Sequence, residues 1–171
     1  TITGGGGADT ITGFSGIDGI TGGLGGDIIN TGGGADTITI GVPATETAIA
    51  TGFTAAAAVP TTAVGTAGMD IITGFSTGAS IALTGLTLGT NLIVRNGGTM
   101  GAAIVGDTAL VRGTYSSSAD TFTPSNAGAD SILAYDNNGT TAAGGYSAVV
   151  LVGYVDALSN DTFNTAAFTA V

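Results

Sequence analysis

The chain has 171 residues, a formal net charge of -10 and only two cationic side chains, Arg95 and Arg112. So few cations cannot neutralise a phosphate backbone or an anionic lipid surface, and neither nucleic acid nor such a membrane is an expected partner. The absence of Cys and His removes disulfides, thiolate centres and imidazole-held zinc or copper.

The remaining composition is directional. Glu46 is the sole Glu, so eleven of the twelve acids are Asp. A short acid suits tight turns and oxygen ligation of hard cations, whereas solubility would be served by either acid. With 32 Gly and 43% apolar residues, the composition predicts short strands joined by tight turns rather than disorder. The longest apolar runs, Ala55 to Val59 and Ala148 to Val152, are far too short for a membrane-crossing helix, so no membrane insertion is expected. The chain opens at Thr1 without a basic and apolar leader, which reads as a processed product or a fragment.

Residues 1–40 carry an internal repeat. Asp9, Asp18, Asp27 and Asp36 stand nine residues apart, each followed two places later by Ile11, Ile20, Ile29 and Ile38. Ile2 extends the apolar series backwards. Each unit follows the pattern G-G-x-G-x-D-x-U-x, with U a large apolar residue; Phe14 replaces the second Gly of one unit and Thr31 the first Gly of another. Such a period is the signature of a stacked, repetitive architecture. Six residues form a turn and three a short strand, with U inward and its neighbours outward. Two nonapeptides make one full coil. Stacked carboxylates repel one another unless a cation lies between them, and calcium takes oxygen from Asp and from turn carbonyls. The candidate ligands are Asp9, Asp18, Asp27 and Asp36, with the carbonyls of Gly5, Gly7, Gly23, Gly25 and Gly34. Asp9 is expected to meet the Gly22 to Asp27 turn, and Asp18 the Thr31 to Asp36 turn.

Residues 41–64 break the period and read as an Ala- and Thr-rich insertion or linker, with Pro43 and Pro60 against a helix at Ala55 to Ala58. The template returns once, at Gly65 to Thr73, and makes Asp70 a further candidate ligand. In the C-terminal part, Ile81 to Leu88, Asn91 to Arg95, Ala102 to Val105 and Ala109 to Arg112 predict strands, with a hairpin turn at Asn96-Gly97. Ser131 to Tyr135 and Tyr146 to Tyr154 predict an antiparallel pair across the acidic turn Asp136 to Gly139. Leu158, Phe163 and Phe168 are expected to pack on that sheet. Asp120 and Asp130 are read as turn formers before calcium ligands.

The nonapeptides of residues 1–40, the unit Gly65 to Thr73 and the ending Ala129 to Gly139 with Ala148 to Gly153 resemble the RTX (repeats-in-toxin) family of bacterial type I secreted proteins. The resemblance implies an all-β fold: a right-handed parallel β-roll, or β-solenoid, over residues 1–40, followed after the 41–64 insertion by a β-sandwich-like cap over 65–171. It also implies Ca2+ as cofactor, export through the type I secretion apparatus by a C-terminal signal, and folding outside the bacterial cell or at its surface. The near absence of cations is closest to surface-layer members.

Gly74 to Gly78 matches the G-x-S-x-G elbow of serine hydrolases, but no His or Lys exists to act as base. The chain is therefore not expected to be an enzyme. The expected role is an extracellular structural, calcium-binding subunit of a surface layer or filament that forms a homo-oligomer or polymer through its solenoid ends. The alternative is a C-terminal secretion and folding module of a larger enzyme, toxin or adhesin. Outward Thr ladders (Thr10, Thr12, Thr21, Thr37 and Thr39) suit strand formation before any ligand.

Overall fold

A computed structural model describes residues 1–40, 64–66, 68–75, 79–83, 92–95, 108–125, 127–136, 146–155 and 168–170. This part of the chain is all-β, without helix, and it forms two sheets.

Five strands build residues 1–40: β1 (Ile2–Gly6), β2 (Thr10–Thr12), β3 (Gly19–Leu24), β4 (Ile28–Asn30) and β5 (Thr37–Ile40). Consecutive strands fall alternately in the two sheets, so each pairs in parallel with the strand 18 residues away. In the first sheet Ile2 lies beside Ile20 and Ile20 beside Ile38; in the second, Ile11 lies beside Ile29. The nine-residue period sets this register, because a one-place slip would turn every Ile to the opposite face. Ile11, Ile20, Ile29 and Ile38 are all buried, and their neighbours Thr10, Thr12, Ile28 and Asn30 are exposed. β1 and β3 run longer than the three residues expected, since the backbones of Gly5 and Gly23 still pair within the turn.

The chain resumes with β6 (Val64–Gly65), β7 (Asp70–Thr73) and β8 (Ser80–Leu83). β7 pairs in parallel with β4, matching Ile72 to Ile29, and β8 with β5, matching Ile81 to Ile38. The parallel pairing therefore extends over two strands after the insertion, although the template itself returns only once. β8 keeps the nine-residue step from Ile72 to Ile81 without the repeat's Asp, since Ala79 stands in that place. The strand predicted from Ile81 starts at Ser80, and its predicted end beyond Leu83 lies outside the described residues.

The other strands are β9 (Leu92–Arg95), β10 (Thr108–Ser116), β11 (Thr121–Pro124), β12 (Asp130–Asp136), β13 (Tyr146–Val152) and β14 (Phe168–Ala170). β12 and β13 form the expected antiparallel pair. β10 continues that sheet antiparallel to β12 and β11, and β9 joins β10 in parallel. β13 pairs in parallel with β7, which makes the second sheet continuous from the repeats into the C-terminal part. β14 departs from expectation: it pairs with β8 in the first sheet, not with the sheet of β12 and β13. The strand expected at Ala102 to Val105, the turns at Asn96-Gly97 and Asn138-Gly139, Leu158, Phe163 and the Ala55 to Ala58 segment lie outside the described residues.

A single apolar cluster spans both parts, joining Ile11, Ile20, Ile29, Ile38, Ile72 and Ile81 to Leu110, Leu133, Val149 and Leu151. Phe75 closes it against Tyr154, edge to face at 4.9 Å between ring centroids. Ile29 is 0% exposed and its neighbour Ile28 is 55% exposed. Ile29→Ala should lower unfolding free energy by about 2–5 kcal/mol, and Ile28→Ala by no more than about 0.5 kcal/mol, as read from denaturant midpoints under one fixed solvent condition.

Candidate metal centre

The turns fall into two rows. Row one ends its turns on Asp9, Asp27 and Asp70; the first two carry the chain from the first sheet to the second, and the third lies between β6 and β7, both in the second sheet. Row two carries the chain back and ends on Asp18, Asp36 or Ala79. The strand registers place these residues at matching ranks, since Thr10 lies beside Ile28 and Ile28 beside Ile71, while Gly19 lies beside Thr37 and Thr37 beside Ser80. The expected meetings of Asp9 with the Asp27 turn and Asp18 with the Asp36 turn are present, and Asp70 adds a third rank to row one.

A repeated pair of hydrogen bonds joins successive ranks. The amide of Asp9 donates to Oδ1 of Asp27 at 2.9 Å, that of Asp27 to Oδ1 of Asp70 at 2.8 Å, and that of Asp18 to Oδ1 of Asp36 at 2.9 Å. The carbonyl of each earlier Asp accepts from the residue after the later one: Ile28 to Asp9 at 2.9 Å, Ile71 to Asp27 at 2.7 Å and Thr37 to Asp18 at 2.8 Å. The carboxylate of one Asp and the amide of the residue after it thus engage both polar groups at the preceding Asp, where the strand ladder has ended. This geometry explains why the chain uses Asp, whose carboxylate sits one methylene closer to its own backbone than that of Glu.

The second carboxylate oxygen is in a different state. Oδ2 of Asp9, Asp27 and Asp36 is buried with no hydrogen-bond partner among the described residues. In Asp9 and Asp27 it sits under the first residue of the same turn: a Cβ built on Gly4 would lie 2.7 Å from Asp9 Oδ2, and one on Gly22 2.5 Å from Asp27 Oδ2. A buried polar atom without a partner costs roughly 1–3 kcal/mol, more when charged, and in folded proteins a bound ion or water commonly satisfies such an atom. In Asp18 the same oxygen instead accepts from the amide of Phe14 at 3.1 Å.

The candidate glycines lie where the turns touch. A Cβ on Gly23 would strike the Gly5 carbonyl, one on Gly25 would come within 2.6 Å of the Gly7 carbonyl, and one on Gly34 would strike the Gly16 carbonyl. Gly34 also has φ +140, a conformation that side chains rarely adopt. The carbonyls of Gly5 and Gly7 therefore point at the next rank of row one. Among the described residues no three acidic side chains gather at one point. A cation seated between ranks would take one or two carboxylates and complete its shell with such carbonyls, an oxygen set that fits calcium.

The other aspartates are committed elsewhere. Asp130 accepts from the amides of Tyr115 and Gly153, both at 2.8 Å, one on each oxygen, which ties β10 to the end of β13. Asp120, at φ 49, closes the turn before β11 and accepts from the Thr66 hydroxyl at 2.6 Å. Asp120 thus has the turn role expected for it, whereas Asp130, expected as a turn former, opens β12 and bridges amides of neighbouring strands. Comparison with protein-family models, with curated proteins and with solved structures gives no match to this chain.

Burial raises the carboxyl pKa of Asp27 above 3.8; the Asp9 charge adds to this, while the Asp9 amide opposes it. The folded state thus binds this proton more tightly than the unfolded state. The stabilisation is complete below the unfolded pKa and is lost as pH rises through the raised folded value. Without divalent ions, Asp27 should therefore make the fold less stable at pH 7 than near pH 4. Asp27→Asn keeps an Oδ1 acceptor and removes the charge. It should flatten that part of the pH dependence, read as thermal midpoints of both proteins across pH 4–7 in chelator.

Proposed function

We propose that the chain is an extracellular, calcium-binding structural protein whose repeat region is a β-roll of the RTX kind. Calcium sits between successive ranks of each row. Its ligands come from Asp9, Asp18, Asp27, Asp36 and Asp70 and from turn carbonyls, among them those of Gly5, Gly7, Gly23, Gly25 and Gly34. One observation carries this reading: the repeat buries carboxylate oxygens, Oδ2 of Asp9, Asp27 and Asp36, and gives them no donor among the described residues. A hard cation is the group that converts such a cost into cohesion.

Calcium binds only the stacked form and so adds folding free energy by mass action, about 2.7 kcal/mol per site at 100-fold excess over its Kd. Sites of roughly 10⁻⁴ to 10⁻³ M, as in other extracellular modules, keep the chain unfolded where calcium is scarce and fold it outside the cell. That logic agrees with export by a type I apparatus. The cap-like role of the C-terminal part is supported by β13 and β14, which lie against β7 and β8.

Assembly into a homo-oligomer or polymer belongs to the same proposal. β1 and β2 stand at the edges of their sheets, and edge strands present unpaired backbone to another chain. Phe14 and Ile17, 76% and 82% exposed, flank this edge in the first turn of row two. The proposed role is structural and needs no catalytic residue.

A calcium titration followed by circular dichroism and light scattering tests this. Calcium should raise the thermal midpoint and then the scattering, magnesium should do neither at equal concentration, and Asp27→Asn with Asp36→Asn should blunt the calcium response. A chain whose fold and midpoint ignore both calcium and chelator would rule the proposal out, and stable monomers in millimolar calcium would remove its assembly half.

A further inference from the structure

Row two departs from the repeat at two places, on neighbouring ranks. At its third rank Ala79 replaces Asp, so no carboxylate arrives there to receive the amide of Asp36. At its second rank Thr31 replaces the first Gly of the turn. In the three preceding turns that position lacks a side chain, and the Oδ2 of the turn's own Asp lies 2.7, 3.3 or 2.5 Å from where a Cβ would stand.

Thr31 is 0% exposed, and its hydroxyl, like Asp36 Oδ2 in the same turn, is buried with no partner among the described residues. The hydroxyl is directed at the third rank. A Cβ built on Gly74, the first residue of that rank, would lie 2.8 Å from Thr31 Oγ1, 3.2 Å from the Gly32 carbonyl and 3.3 Å from Asn30 Oδ1. Asn30 is held by the amide of Gly32, which donates to its Oδ1 at 3.0 Å. Oxygens of three chemical kinds thus converge at the rank where the repeat has lost a carboxylate.

We propose that Thr31 is a metal ligand that compensates for Ala79. With Asp36 Oδ2 and the Gly32 carbonyl it holds a cation between the second and third ranks of row two. This rests on the calcium reading above and adds to it a site that the nonapeptide template does not supply. A hydroxyl, a carbonyl and a carboxylate are all hard oxygen donors, which suits calcium. A single carboxylate makes the site less charged than its counterpart in row one, where Asp27 and Asp70 both contribute, and the ion is accordingly held more weakly. Thr is suited to the position because its hydroxyl proton rotates away and leaves lone pairs toward the ion, while its methyl group fills the space above the turn.

The test is equilibrium dialysis of radioactive calcium against the full chain, wild type beside Thr31→Val and Thr31→Ser, with thermal midpoints in chelator and in calcium. Val matches the shape of Thr and lacks the oxygen. Thr31→Val should bind one calcium fewer per chain at millimolar calcium, and Thr31→Ser should retain the wild-type count. In chelator Thr31→Val should melt no earlier than wild type, because the change removes a buried hydroxyl that no described protein group satisfies. An unchanged calcium count in Thr31→Val overturns the proposal while leaving the calcium reading intact. An earlier melt in chelator also overturns it, since the hydroxyl would then serve the apo fold. A wild type that binds no calcium ends both.

Discussion

The structure of the repeat region depends on one contact: an Asp carboxylate oxygen that takes the backbone N–H of the Asp one rank earlier. Parallel strands of three to six residues offer few ladder bonds. Where the ladder stops, backbone groups need another acceptor. Asp27 provides it for Asp9, Asp70 for Asp27 and Asp36 for Asp18. The strand register, the burial of the Ile series and the close approach of glycine turns all follow from keeping these side chains in rank.

The same contact creates the functional problem. Holding one oxygen of a carboxylate against a buried amide carries the other oxygen out of water with it. Asp27 shows the consequence most clearly, with no exposure and a proton affinity raised by burial. Cohesion between ranks and a demand for positive charge are therefore two effects of one side chain. An apolar residue at these positions would avoid the demand and lose the acceptor, while a neutral Asn would keep the acceptor and lose the charge.

Much of this was legible in the sequence because the signals were scarce residues in strict phase. Four Asp and five Ile at one interval define which strands pair and which residues face the core. Asp70 was legible for the same reason. The pairing of β8 was not, since Ala79 stands in the place of the repeat's Asp, although Ile81 keeps the nine-residue step from Ile72. Thr31 reads in the sequence as a mismatch to the repeat, and its buried, unpartnered hydroxyl becomes visible only in the structure of the described residues. The pairing of β14 with β8 depends on long-range packing with no local periodicity, so no motif announced it. The roles of Asp120 and Asp130 rest on amides and a hydroxyl brought from distant strands.

The place of the insertion has a kinetic meaning. Asp27 and Asp70 are 43 residues apart in the chain yet bonded as directly as Asp9 and Asp27, which are 18 apart. Closing a flexible loop becomes more costly only slowly with length, about 0.6 kcal/mol for each doubling. The longer separation therefore adds little to the equilibrium cost of the contact. It does bear on the order of events, because contacts close in sequence form first and distant ones wait for the chain to bring them together. By that rule the contacts between the first two ranks, 18 residues apart in the chain, close before those of the third, 43 residues apart, with which the C-terminal strands pair.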